Sequence, residues 1–314
     1  MAKTKDIQRR IKSINNIKKI TKAMEMVAAS KMRKAVDAVL KTRTYANLSW
    51  ETILHLAELS ANNNEPLHPL LTKRTEVKKI GIVLITSNRG LCGGFNTAII
   101  NKVKESIKKH NHSRETEFII IGKKGSVMHK QGYNIAAEMP KADVAHEIQE
   151  IRGVSQLVIK DFQAGIYDKV LVAYTDFVNP ANQVPRVKQL LPVDIHAEDE
   201  YLGVVGKSPV LSTTKSFIKE KQSQHIQNNE CLFEPNPNEV LDSIVPRLIE
   251  VQLHQALLES NASEHSARMS AMHQANDAAK DMVDELTLSF NKARQASITA
   301  EIAEISAGAN ALAD

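Results

Sequence analysis

Proline and glycine are absent from both ends of this 314-residue chain: residues 1–65 contain neither, and residues 247–307 contain neither. All ten prolines fall within 66–246, and eleven of the twelve glycines fall within 81–206. Proline lacks the backbone N–H, and glycine costs about 1 kcal/mol relative to alanine, so helix interiors exclude both. Their absence excludes tight turns from the two ends, which read as long helices flanking a mixed middle. Aromatic residues make up only 4%, which leaves Ala, Ile, Leu, Val and Met to fill the interior, as in helical packings. The two cysteines, Cys92 and Cys231, lie far apart without CxxC spacing. This excludes a disulfide framework and a zinc cluster and points to a reducing compartment. No apolar run of 18 or more residues occurs, so no membrane span is expected.

What is present is a concentration of positive charge at one end. Residues 1–43 carry 13 Lys or Arg against Asp6, Glu25 and Asp37, a balance of +10. Because the whole chain carries +5, the remainder is about −5. One basic end suggests an anionic partner: nucleic acid, lipid or an acidic protein surface. The start MAKTKDIQRRIKSINNIKK is Lys-rich, includes Asp6 and runs unbroken into a helical pattern. It is therefore read as a helix rather than a removable presequence.

The apolar spacing supports the helices. Ile7, Ile11, Ile14, Ile17, Thr21, Met24, Ala28, Met32, Ala35 and Val39 follow steps of three and four, as a coiled-coil seam requires. Ile298, Ile302, Ile305, Ala309 and Leu312 repeat the pattern at the other end. Helices of 55–60 residues would span roughly 80–90 Å, and the expected arrangement is a long antiparallel pair. The alternative is a bundle of shorter helices broken near NLSWETILHLAELSANNN.

In the middle, KIGIVLIT (79–86), EFIIIG (117–122), KVLVAYTDFV (169–178) and QVPRVKQLLPV read as strands. TAIINKVKESIKKH and SQLVIKDFQAGI read as helices. Strands alternating with helices imply a mostly parallel sheet in an α/β layer. The boundaries are an N-terminal helix at 1–65, a central α/β domain at 66–235 and a C-terminal helix at 236–314. Residues 198–230 form a polar, weakly patterned surface excursion.

SNRGLCGGFN lies between a strand and a helix, the layout of a phosphate-binding loop. Its spacing fits neither G-x-G-x-x-G nor G-x-x-x-x-G-K-[ST], because Cys92 stands two residues after Gly90 and Phe95 five after it. The expected role of Gly90, Gly93 and Gly94 is a tight turn with positive φ. His146-Glu147 lacks the second histidine of a zinc site, and the 11 histidines read as surface residues. Asp284/Glu285 and Glu301/Glu304 read as a solvated helix face rather than an acid/base couple. No catalytic constellation is present. Nucleic-acid binding through the basic helix is disfavoured because no aromatic residue precedes Tyr45.

Read together, the two ends resemble one family. IKSINNIKKITKAMEMVAASKMRKA (11–35) is similar to the N-terminal helix of the gamma subunit of rotary F-type ATP synthase, and NKARQASITAEIAEISAGANAL (291–312) to its C-terminal signature. SNRGLCGGFN resembles the family's central segment, and FEPNPNEVLDSIVPR its lead into the last helix. The likeness covers nearly the whole chain. It departs at 198–230, where the excursion is longer than usual and lacks the paired cysteines of the redox-regulated chloroplast form.

The resemblance implies an antiparallel coiled coil and a central Rossmann-like α/β domain, with no cofactor and no metal. It also implies a non-catalytic rotor subunit with alpha, beta and epsilon subunits and the c-ring as partners. Catalysis would lie in beta, and the bacterial form would sit peripherally on the cytoplasmic face of the inner membrane. By matching position, Met24 lies near a beta loop, Arg294 and Gln295 are held by a beta catch loop, and Arg268, Thr299, Glu301 and Glu304 influence coupling. Two readings compete: a free nucleotide-binding α/β enzyme, opposed by the glycine spacing, and a basic coiled-coil nucleic-acid scaffold, opposed by the missing aromatics and the C-terminal signature.

Overall fold

The structure, a computed structural model, describes residues 2–62, 68–72, 74, 76–109, 115–142, 148–193 and 237–313. The excursion expected at 198–230 lies outside them. In chain order the elements are α1 (Ala2–Asn62), β1 (Ile80–Ile85), α2 (Phe95–Lys109) and β2 (Thr116–Ile121). A 3-10 turn (Lys123–Ser126) leads into α3 (Val127–Lys130), then β3 (Asn134–Met139), α4 (Gln149–Gln163), β4 (Lys169–Asn179), β5 (Asn182–Leu191) and α5 (Pro237–Ala313). Two compact units divide the chain, residues 1–29 with 268–314, and residues 30–267. Both long helices contribute to each unit, so these divisions fall elsewhere than the sequence boundaries at 65 and 235.

The 30–267 unit is built on a five-stranded sheet in the order β3-β2-β1-β4-β5. The pairs β1/β2, β1/β4 and β2/β3 are parallel, with Ile82 opposite Phe118 and Leu171, while β4/β5 is an antiparallel hairpin. β1 is central and buried on both faces, which is why it reads as an unbroken apolar run. Its Ile80, Ile82 and Leu84 join Phe118 and Ile120 beneath Ile99, Val103 and Ile107 of α2. Val83 and Ile85 face the other way, among Val154, Val158 and Phe162 of α4 and Leu241, Val245, Leu248 and Leu253 of α5. Each such side chain contributes about 1.5–3 kcal/mol on burial.

Several expectations change. β3 escaped the sequence reading because Asn134–Met139 alternates exposed and half-buried residues at a sheet edge, with no apolar run. α5 spans Pro237–Ala313, within a residue at each end of the 236–314 given to the C-terminal helix, and holds Pro246 and Gly308 inside it. Pro237 at the first helical position loses no helix hydrogen bond, because the first N–H groups have no partner in the helix. Of the loop glycines, only Gly93 has positive φ (56°); the other left-handed residue is Leu91 (63°), while Gly90 and Gly94 face open space. The most tightly constrained of the described glycines is Gly122, at φ 101° after β2, where a Cβ would lie 2.2 Å from the Thr86 carbonyl oxygen.

Histidines are not all at the surface: His68, His254 and His265 are buried. Burial holds the His254 pKa down at about 4, and neither ring nitrogen has a hydrogen-bond partner among the described residues. The unfolded chain, with an ordinary histidine pKa near 6.5, takes up the proton first as pH falls. This contribution to stability is full above about pH 6.5 and is lost progressively toward about pH 4. Urea midpoints should therefore fall between about pH 7 and pH 5, with a shallower fall in His254→Leu. Equal slopes in the two proteins would refute the assignment.

Candidate functional site on the paired terminal helices

In the unit of residues 1–29 and 268–314, α1 buries or half-buries Ile7, Ile11, Ile14, Lys18, Thr21, Glu25 and Ala28. α5 answers with Met272, Asn276, Ala279, Val283, Leu286, Phe290, Ala293 and Ser297. Both series step by four and three in turn, the heptad of a coiled-coil seam. The pairing is antiparallel: Glu25 meets His273, while Arg10, Ser13 and Ile14 share a surface groove with Met282, Glu285 and Leu286.

This seam corrects the expected stripes. Ile17 is half exposed, and the heptad passes through Lys18 instead, because seven-residue spacing from Ile11 and Ile14 reaches Lys18 and Thr21. Ile298, Ile302 and Ile305 are exposed. Counting back from the Glu25–His273 pair brings Ala2 level with about residue 296. Among the described residues, none of α1 lies level with Ile298, Ile302 and Ile305. On α1, Ile17, Ile20, Met26 and Val27 form a further exposed apolar set. The sequence reading put Ile17 on the seam and did not single out the other three, which sit beside it.

Charge differs between the helices. α1 contributes eight Lys or Arg and two acids over residues 2–29, whereas α5 contributes six acids and four Lys or Arg over 268–313. Lys5, Arg9, Lys12 and Lys19 line an open groove along α1 with Asn15 and Asn16. At mid-seam, Lys22 Nζ donates to Glu25 (3.1 Å), whose carboxylate lies 3.4 Å from His273 Nδ1; His273 Nε2 lies 3.5 Å from Asp277. These partly exposed pairs contribute little to stability.

The residues matched to the family are distributed accordingly. Met24 is half-buried beside the seam and Arg268 half-buried at the α5 residue where this unit begins. Arg294, Gln295, Thr299, Glu301 and Glu304 are exposed, the last two as a solvated face. Thr299 Oγ1 donates to the Gln295 carbonyl (3.0 Å), so Arg294, Gln295 and Thr299 share little more than one turn. Met24 is level with about residue 274, some 30 Å along the helix from them. They make no single pocket, and among the described residues no cluster of His, Cys, Asp or Glu suits a metal ion.

The glycine loop after β1 is filled by its own side chains. Asn96 Oδ1 accepts the Ser87 N–H (3.0 Å), and its Nδ2 donates to Ser87 Oγ (2.7 Å) and Cys92 Sγ (3.3 Å). The Asn88 amide bonds both backbone groups of Lys141, beyond β3. A loop tied in this way is a structural joint rather than a phosphate cradle.

The family model described as ATP synthase matches residues 3–312. The ATP synthase gamma chain of Chloroflexus aurantiacus is 40% identical over 314 residues, covering 99% of each chain. The chain belongs to the ATP synthase gamma-chain family. Among solved structures, the central stalk and c-ring of Tetrahymena thermophila mitochondrial ATP synthase matches with TM-score 0.58 and 24% identity, over 82% of this chain and 99% of that one. A Euglena gracilis mitochondrial ATP synthase assembly matches with TM-score 0.64 and 15% identity, over 99% and 95%. Both share the long terminal helices and central mixed sheet. A gamma chain is a central-stalk subunit and a non-catalytic component of the synthase.

Proposed function

We propose that this chain works as the rotor shaft of a bacterial ATP synthase. Its helix pair turns inside a ring of alpha and beta subunits, and its α/β part, with epsilon, rests on the c-ring at the cytoplasmic face of the inner membrane. Catalysis belongs to beta. A shaft drives the beta sites only through contacts that differ between their conformations. Moving one site from 1:99 to 99:1 takes about 5.5 kcal/mol. The observation that carries this reading is the asymmetry of the helix pair: a basic α1 face, an acidic α5, and exposed apolar residues on both. As the pair turns, each beta subunit meets a different one of these surfaces.

Met24 and Arg268, then Arg294, Gln295, Thr299, Glu301 and Glu304, are the contact or coupling positions in this proposal. The test is co-expression with alpha and beta subunits, followed by sizing and an ATPase assay. The chain should co-elute with the hexamer and alter its hydrolysis; a chain that does neither is not the shaft. Met24→Lys places a further cation beside the basic face and should reduce ions pumped per ATP about fivefold. Unchanged pumping per ATP would remove Met24 from the contact.

A further inference from the structure

Within the 30–267 unit, every residue of α5 from Leu248 to Ser266 is buried. The last six, Asn261 to Ser266, are polar apart from Ala262. Four of them grip three separate pieces of the sheet's surroundings. Asn261 Nδ2 donates to the Ala142 carbonyl (3.3 Å), and Ser263 Oγ to the Thr175 carbonyl (3.1 Å). The Glu264 carboxylate meets the Lys141 ammonium at 2.6 Å, and Ser266 Oγ donates to the Pro180 carbonyl (2.7 Å). Lys141 and Ala142 follow β3, Thr175 lies within β4, and Pro180 lies in the β4–β5 turn. At about 100° per residue these side chains leave the helix axis near 0°, 200°, 300° and 140°, so the grips surround it.

Stability alone does not require an ion pair at this place. A buried ion pair is often no better for stability than apolar residues of the same volume. Apolar packing, however, is non-directional, whereas a hydrogen bond weakens steeply once its angle is lost. A helix held by grips on all sides resists turning about its own axis in a way that apolar packing does not.

We infer that residues 261–266 of α5 form a torsional collar. It fixes the rotational angle of the helix against the sheet and carries the turning force between them. Asn261, Ser263, Glu264 and Ser266 are its positioning residues. This inference rests on the rotor reading above.

The test uses the full chain assembled with alpha and beta subunits on a surface. A bead is attached through Lys130→Cys, an exposed position, in a Cys231→Ser background. The angular variance of the bead during the ATP-waiting pause reads torsional stiffness. Removing two of four parallel grips with Ser263→Ala/Ser266→Ala should raise that variance about twofold, if the grips contribute alike. Threonine at both positions restores the hydroxyls and should restore the stiffness. Leu257→Ala, which opens a cavity in the same buried helix, should lower the melting temperature without widening the distribution.

The collar is overturned if the serine double variant fluctuates like the parent, or if Leu257→Ala widens the distribution as much. If the double variant does not assemble, Ser266→Ala alone should raise the variance by about a third; no change there is equally fatal. Failure of the parent complex to turn would instead sink the rotor reading, so the two failures are distinct.

Discussion

Gly122→Ala should destabilise the folded protein by about 4–5 kcal/mol. Gly122 takes φ 101°, and a Cβ there would lie 2.2 Å from the Thr86 carbonyl oxygen and 2.8 Å from its carbon. The obstructing atoms are backbone at the end of the central strand, so no rotamer change relieves the clash. The same few residues tie three strands together. The Thr86 N–H donates to the Ile121 carbonyl (2.8 Å), the Gly122 N–H to the Met139 carbonyl (2.9 Å), and Thr86 Oγ1 to the Gly122 carbonyl (2.9 Å). Backbone strain alone costs about 1–3 kcal/mol. Separating β1 from β2 to clear the contact adds to it, and a total of about 4–5 kcal/mol is a large part of a domain's usual 5–15. Gly90→Ala is the control, because a Cβ there meets nothing within 4 Å and φ is not positive. It should be neutral or stabilising by up to about 1 kcal/mol. Urea unfolding of both variants decides the matter: similar midpoints would show that the β2 end relaxes freely.

Gly122 marks the limit of what the sequence discloses. β1, β2 and β4 were legible because burial on both faces leaves unbroken apolar runs, and the long helices were legible because breakers are missing. β3 was not, since the edge strand NIAAEM has only Ile135 and Met139 as large apolar residues. Glycines are dense at 90–94, yet the position where a side chain meets backbone is Gly122, which only the approach of Thr86 reveals. The seam was legible in period but slipped at Ile17, because composition favours isoleucine while the heptad requires Lys18. The candidate contact residues followed from resemblance to a family. Five of them are exposed on α5 while Met24 and Arg268 are half-buried, and nothing in local sequence chemistry distinguishes Arg294 from any solvated arginine. The burial of α5 from Leu248 to Ser266 was hidden for the opposite reason, because Gln252, His254, Asn261 and Glu264 make it look solvated.

That buried polar helix gives the second large effect. Lys141→Met should destabilise the protein by about 3–5 kcal/mol, because it removes the ammonium that the buried Glu264 carboxylate meets. The two side chains are almost inaccessible, 2% and 6% exposed, and 2.6 Å apart. Phe95 places its ring 5.5 Å from the same ammonium, and the Asn88 amide fixes the Lys141 backbone. Glu264→Leu should cost a similar amount by removing the carboxylate from the buried lysine. The double variant Lys141→Met/Glu264→Leu removes both charges at similar volume and should return to within about 1 kcal/mol of the parent or exceed it. Urea unfolding of the four proteins gives the coupling energy; additive losses would mean that the two groups do not act as a pair. If the double variant is as stable as the parent but torsionally softer, burying two charges where apolar residues would serve has a mechanical explanation. Stability would then be indifferent to the pair, and the angle of the shaft would depend on it.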